Sequence, residues 1–136
     1  MPVDRRLSDF EGDWTLSRRI LHEDGRVAML EGRARWDRDG DALIYNEEGE
    51  LRLEGHAPVH ATRRYRWEEG LRVHFEDGRF FHVVPAQGGT AHHWCSPDDY
   101  QVAYDFDDWP VFTTIWTVRG PHKAYRMISR YVRETA

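Results

Sequence analysis

Two arginines, one glutamate and a few histidines carry most of the chemistry this sequence can offer. Arg18 stands in the series Trp14, Leu16, Arg18, Ile20, His22, and Glu47 follows Leu43 and Tyr45. Arg63 precedes Tyr65 and Trp67. In an extended chain, residues two apart share a face. Each of these charges is therefore expected to point inward with its aromatic and aliphatic neighbours. A buried guanidinium is costly unless it is paired. Glu47 is one candidate partner and a bound organic anion is the other, and the sequence leaves both open. One carboxylate cannot neutralise two guanidinium groups, so a charge deficit is expected that an anion would fill. The planar fork of arginine suits a carboxylate or a phosphate.

Eight histidines are present. His22, His56, His60, His74, His92 and His122 fall near turns or strand ends, and most are expected at the surface. His82 follows Phe80-Phe81, and His93 and Cys95 have the H-x-C spacing that aims both to one side. His82, His93 and Cys95 give an incomplete set for zinc. A hydrogen-bonded histidine beside an inert cysteine is the expectation, with no metal and no cofactor. A heme held by His82 or His93 is the remote alternative, and no C-x-x-C-H attachment motif occurs. For acid–base chemistry, His82 or His93 would carry the proton with Tyr100 or Glu47 as partner. No G-x-S-x-G motif and no phosphate-cradling glycine loop is found.

The elements that must position these residues are strands. Alternating polar and apolar residues are broken by Asp24-Gly25, Asp39-Gly40, Glu48-Gly49, Glu69-Gly70, Asp77-Gly78, Gly88-Gly89, Pro97-Asp98 and Gly120-Pro121. These are turn or bend signals. Candidate strands cover 13–22, 26–38, 41–48, 50–56, 60–68, 71–76, 79–85, 90–95, 99–107, 111–119 and 122–133. Some are expected to merge, leaving roughly eight to ten. Only the stretch from Leu7 to Phe10 reads as a helical turn. Many short strands with tight turns predict an all-β, antiparallel up-and-down barrel, closed so that few edges are exposed. The length of 136 residues fits one domain over the whole chain.

Phe10-Glu11-Gly12-Asp13-Trp14 reads F-x-G-x-W just before the first long strand. It resembles the opening signature of the calycins, the lipocalins and fatty-acid-binding proteins. That resemblance implies that Gly12 permits a bend, that Trp14 plugs one end of a barrel, and that Arg130 or Arg133 of the last strand packs over it. Over its length the chain is also similar to a bacterial lipocalin-like family of unassigned function. The matching pieces are Gly12-Asp13-Trp14 with Arg18, Tyr45 with Glu47 and Gly49, Arg63 with Tyr65 and Trp67, and Asp77-Gly78-Arg79 with Phe81-His82. They continue with His93 and Cys95, Asp98 and Tyr100, and Trp116 followed by Gly120-Pro121, Lys123 and Tyr125. This likeness implies a fold and brings no reaction with it. Arg63 and Tyr65 also resemble, loosely, the arginine and tyrosine with which fatty-acid-binding barrels hold a carboxylate.

A net charge of −5 and a pI near 5.9 argue against a nucleic-acid partner. The single cysteine forbids an intrachain disulfide, and no run approaches a membrane span, so a cytoplasmic protein with no membrane partner is expected. The pattern specifies no oligomeric state. The function expected is a small-molecule-binding barrel for an organic anion with an apolar or aromatic part. Its site would comprise Arg18, Glu47, Arg63, Tyr65, His82, His93, Cys95, Tyr104, Trp116 and Tyr125. The alternatives are an enzyme using the same cavity and a plugged barrel acting through its surface.

Overall fold

A computed structural model describes residues 3–134. After a 3-10 turn at Leu7–Phe10 come ten strands: β1 (Gly12–His22), β2 (Val27–Asp39), β3 (Ala42–Leu53), β4 (Val59–Glu68), β5 (Arg72–Phe75), β6 (Phe80–Val83), β7 (Gly89–Cys95), β8 (Asp98–Asp105), β9 (Phe112–Arg119) and β10 (Ala124–Arg133). They form one antiparallel sheet in the order β6-β5-β4-β3-β2-β1-β10-β9-β8-β7. The sheet curls into an up-and-down barrel of lipocalin-like type, in which β1 pairs with both β2 and β10. No ladder joins β6 to β7, so the barrel stops one pairing short of closure.

Alternation sets the faces. Along β1, Trp14, Leu16 and Arg18 are buried while Asp13, Thr15 and Arg19 are exposed. The two segments expected at 41–48 and 50–56 are one strand, β3. Glu48-Gly49 is no turn: Gly49 lies opposite Gly32 of β2. A Cβ on Gly49 would meet the Glu31 carbonyl oxygen at 2.7 Å, and one on Gly32 would drive into that of Glu48. Both glycines therefore let two backbones approach closely. In β6 simple alternation fails. The register slips between Val73 and His74, and Phe81 and His82 are both buried. A bulge of this kind turns two successive side chains inward.

Aromatic rings fill one end. Phe10, fully buried, packs against Trp36, Trp67, Trp109, Phe106 and Phe112 at centroid distances of 5.0–6.0 Å. Trp14, also fully buried, donates from Nε1 to the Phe10 carbonyl at 2.9 Å. Arg133 lies 4.3 Å over the Trp14 ring and donates to the carbonyls of Glu11 and Asp9. Of the two arginines expected there, Arg130 is the wrong one. It lies opposite Ser17, three positions away, on the exposed face.

Many inward side chains are more exposed away from the plugged end, although Val118 and Met127 there are fully buried. Trp14, Trp36, Leu43 and Phe112 are buried, whereas Ile20, Leu51, Arg63, Phe75, His93, Tyr100, Trp116 and Tyr125 are half-buried. That gradient defines a closed, aromatic end and a more open mouth. Among the described residues no helix is long and apolar enough to cross a membrane.

Candidate functional site

Between plug and mouth runs a belt of polar side chains. Arg18 is cross-strand from Ser129, Ser129 from Thr114, and Thr114 from Tyr104, so adjacent strands present all four at one level. Arg18 donates from Nη1 and Nη2 to the two oxygens of Glu47 at 2.6 and 3.0 Å, and from Nε to Ser129 Oγ at 2.7 Å. The Tyr45 hydroxyl donates to Glu47 Oε1 at 2.7 Å. That uses its only proton, so Tyr131, 2.9 Å away, donates to Tyr45. Burial pushes the Tyr131 hydroxyl up to about 12 and Tyr45 well above the usual phenol range, so both remain proton donors at neutral pH. Burial also works against the Arg18 charge. Interactions with Tyr131 and Glu47 outweigh it, and Arg18 stays charged.

The competition for Glu47 is thus decided. Arg63 is its direct cross-strand neighbour, yet Glu47 turns inward to Arg18. Arg63 reaches toward the opposite wall instead. Its guanidinium meets the Tyr65 hydroxyl at a long 3.4 Å and the weak acceptor Met127 Sδ at 3.5 Å, and lies 5.5 Å over the Trp116 ring. Among the described residues no carboxylate pairs with it. A half-buried cation with weak acceptors and an aromatic face is suited to receive an anion.

His82, 3% exposed, engages Tyr104 through Nε2 at 2.7 Å, and its Nδ1 has no partner. Burial first, and His93 second, lower its pKa to about 3, so it is neutral near pH 7. Thr114 Oγ1 is buried and unpartnered as well. Both side chains line a cavity of about 30 Å³ together with Arg18, Glu47, Tyr104, Tyr131 and the rings of Tyr65, Phe81 and Trp116. About 10–15 Å³ suffices for one water, so the space takes one or two small polar groups.

His93 and Cys95 sit half-buried on β7, with His93 against Phe75, Phe81 and Tyr100. Burial, then Arg79, lowers the His93 pKa. Among the described residues no three His, Cys, Asp or Glu side chains converge as a metal site. His82 Nε2 is taken by Tyr104, and ligand pockets run to about 300–1,000 Å³, an order of magnitude above the space beside it. Tyr125 lies half-buried at the mouth, near His22.

Sequence reasoning named Arg18, Glu47, Arg63, Tyr65, His82, Tyr104 and Trp116, and the fold gathers these in and above the belt. It did not single out Ser129, Thr114, Tyr131 or Met127 as site residues. Their shared inward faces with Tyr125 and Trp116 were the available signal. His93, Cys95, Tyr100 and Tyr125 lie toward the mouth rather than in the belt.

The fold is similar to that of an S-type phycobiliprotein lyase, CPES, from Guillardia theta. The likeness has a TM-score of 0.67 at 8% identity and covers 96% of this chain and 91% of that one. At that identity the likeness extends to the fold alone. No curated protein matches the sequence. Over residues 10–133 the sequence matches a family of unknown function, DUF6314, and the chain belongs to that family.

Proposed function

We propose that this protein binds a small organic anion, with an apolar or aromatic part, at the mouth of its barrel. The observation that carries the reading is the division of labour between the two inward arginines. Arg18 is neutralised by Glu47 and fixed by Ser129. Arg63 is inward, half-buried and without a carboxylate among the described residues. An incoming carboxylate would meet the Arg63 fork, and Trp116, Tyr65 and Tyr125 would flank its apolar part. Arg18 and Glu47 then form the floor of the site rather than a contact for the charge.

The test is a thermal-shift screen of aliphatic and aromatic carboxylates and of organic phosphates at millimolar concentration. Binding to the native state alone must raise Tm. Arg63→Ala is expected to keep the fold and abolish the shift. Arg63→Lys should restore only part of it, because a point charge replaces a two-pronged donor. No shift with any anion, or an equal shift in Arg63→Ala, refutes the reading.

A further inference from the structure

Three buried polar atoms with no partner belong to residues that border the same cavity of about 30 Å³: Thr114 Oγ1 and His82 Nδ1 in the belt, and Trp36 Nε1 toward the plugged end. Thr114 and His82 are 4% and 3% exposed. Buried polar atoms in folded proteins are nearly always satisfied, so each points to something that fills the space beside it. The space is too small for a ring and large enough for one or two polar heavy atoms.

Its distance from Arg63 follows from the register. The Arg63 guanidinium touches Met127 and covers Trp116, which are cross-strand partners on β10 and β9. Ser129 and Thr114, the next inward pair on those strands, lie one step nearer the closed end. One inward step is two residues, about 6.6 Å along a strand. That length separates a carboxylate from a hydroxyl across an aromatic ring. The walls between the two levels are aromatic: Trp116 and Tyr65, with Phe81 beside them.

We propose that the cavity is a subsite for a second polar group on the ligand, a hydroxyl or carbonyl held by Thr114 and His82 about one ring length from a carboxylate on Arg63. This rests on the anion reading above and narrows it to hydroxylated or oxo-substituted aromatic carboxylates. Fatty acids, whose far end is apolar, would leave the buried atoms of Thr114 and His82 unsatisfied. Neutral His82 suits the role: with Nε2 accepting from Tyr104, Nδ1–H donates, and with Nε2 donating, Nδ1 accepts. The Thr114 hydroxyl does either. Entry requires Arg63 to swing off Trp116, and a long contact to Tyr65 and a thioether acceptor hold it there only loosely.

The experiment compares 4-hydroxybenzoate, benzoate and octanoate by calorimetric titration and by quenching of tryptophan fluorescence, in the unaltered protein, in Thr114→Val and in Arg63→Ala. A site with unpaired hydrogen-bonding groups discriminates against the analogue lacking its partner. 4-Hydroxybenzoate is expected to bind about tenfold more tightly than benzoate, the worth of one such bond. Thr114→Val should reduce that preference to about threefold or less, with benzoate still bound. Equal affinity for the two benzoates, tighter binding of octanoate, or a preference untouched by Thr114→Val overturns the subsite. Any of these results, with binding still lost in Arg63→Ala, leaves the anion reading standing. Binding of none of the three overturns the subsite, and an anion screen equally blank overturns the reading beneath it.

Discussion

Removing the Glu47 carboxylate is the sharpest test of how the barrel interior is held. Glu47→Ala deletes both bonds from Arg18, at 2.6 and 3.0 Å, and the bond from Tyr45 at 2.7 Å. Arg18 stays 3% exposed with Ser129 as its remaining acceptor. Leaving a buried charge uncompensated costs about 3–5 kcal/mol. For a chain of this size each kcal/mol lowers Tm by roughly 3–5 °C, so a fall on the order of 10–20 °C is expected. Equilibrium unfolding in urea, read by tryptophan fluorescence and by circular dichroism, measures it directly. Replacing both partners, as Arg18→Met with Glu47→Leu, removes the buried charge along with its counter-ion. That protein should be more stable than Glu47→Ala alone and close to the original. The coupling between the two sites follows from the double-mutant cycle. A loss below about 1 kcal/mol for Glu47→Ala, or a double variant less stable than the single one, would refute the view that Arg18 is a buried charge dependent on this carboxylate.

Three further outcomes follow from the packing and the titratable groups. Trp14→Ala empties a fully buried aromatic site and strips Arg133 of its ring, so a loss of about 3–5 kcal/mol is expected in the same unfolding assay; under about 1 kcal/mol would mean Trp14 is no plug. His82 has a folded pKa of about 3 against 6.5 unfolded, because burial excludes its charged form. The unfolded chain therefore takes up a proton first as pH falls, and stability should drop by roughly 1 kcal/mol per pH unit from about pH 6 down toward pH 3. His82→Gln should flatten the slope between pH 6 and 5, before the carboxylates paired at Asp24, Glu68, Asp77 and Glu134 begin to protonate; an unchanged slope there contradicts the assignment. Gly32→Ala forces a methyl group against the Glu48 backbone and should cost about 1–3 kcal/mol, whereas Gly25→Ala, with open space around it, meets no such wall and pays only for its positive φ; equal penalties at the two sites, read from paired melts, would count against the close approach.

Much of this fold was legible because a strand that faces water on one side must alternate, and these strands do. F-x-G-x-W located the plug. The pattern of two placed Arg18, Glu47, Tyr65 and Trp116 on the inner face without any pairing information. What the sequence could not convey was which of two inward arginines would take the single carboxylate. Cross-strand adjacency favours Arg63, since it lies directly opposite Glu47. The observed partner is Arg18, reached across the interior, where Ser129 and the Tyr45–Tyr131 pair complete the set. Such a choice depends on barrel curvature, a property of the closed sheet rather than of any segment. The Phe81–His82 bulge is hidden for a related reason: a one-residue slip between β5 and β6 leaves no mark in composition. Arg130 and Arg133 differ only in register, and the pairing of Trp14 with Arg133 decides between them.

The pairing of β1 with β10 also bears on how the chain reaches this structure. Every other ladder joins strands that are neighbours in sequence. Trp14 and Arg133, by contrast, meet across nearly the whole chain. Bringing such distant segments together costs roughly 2 kcal/mol more in loop entropy than closing a hairpin of about ten residues, by the logarithmic dependence on length. The hairpins can zip locally and early, one onto the next. The ladder between β1 and β10 must wait until both halves exist, and it sets the mean sequence separation of contacts, the quantity with which folding rates of small domains fall. Once formed, it is clamped at its end by Arg133 on the carbonyls of Asp9 and Glu11, and by Glu134, whose amide bonds Asp13 and whose carboxylate holds Arg33. A ladder that must close late is thus also fastened at its end, an arrangement that would slow unfolding more than it speeds folding.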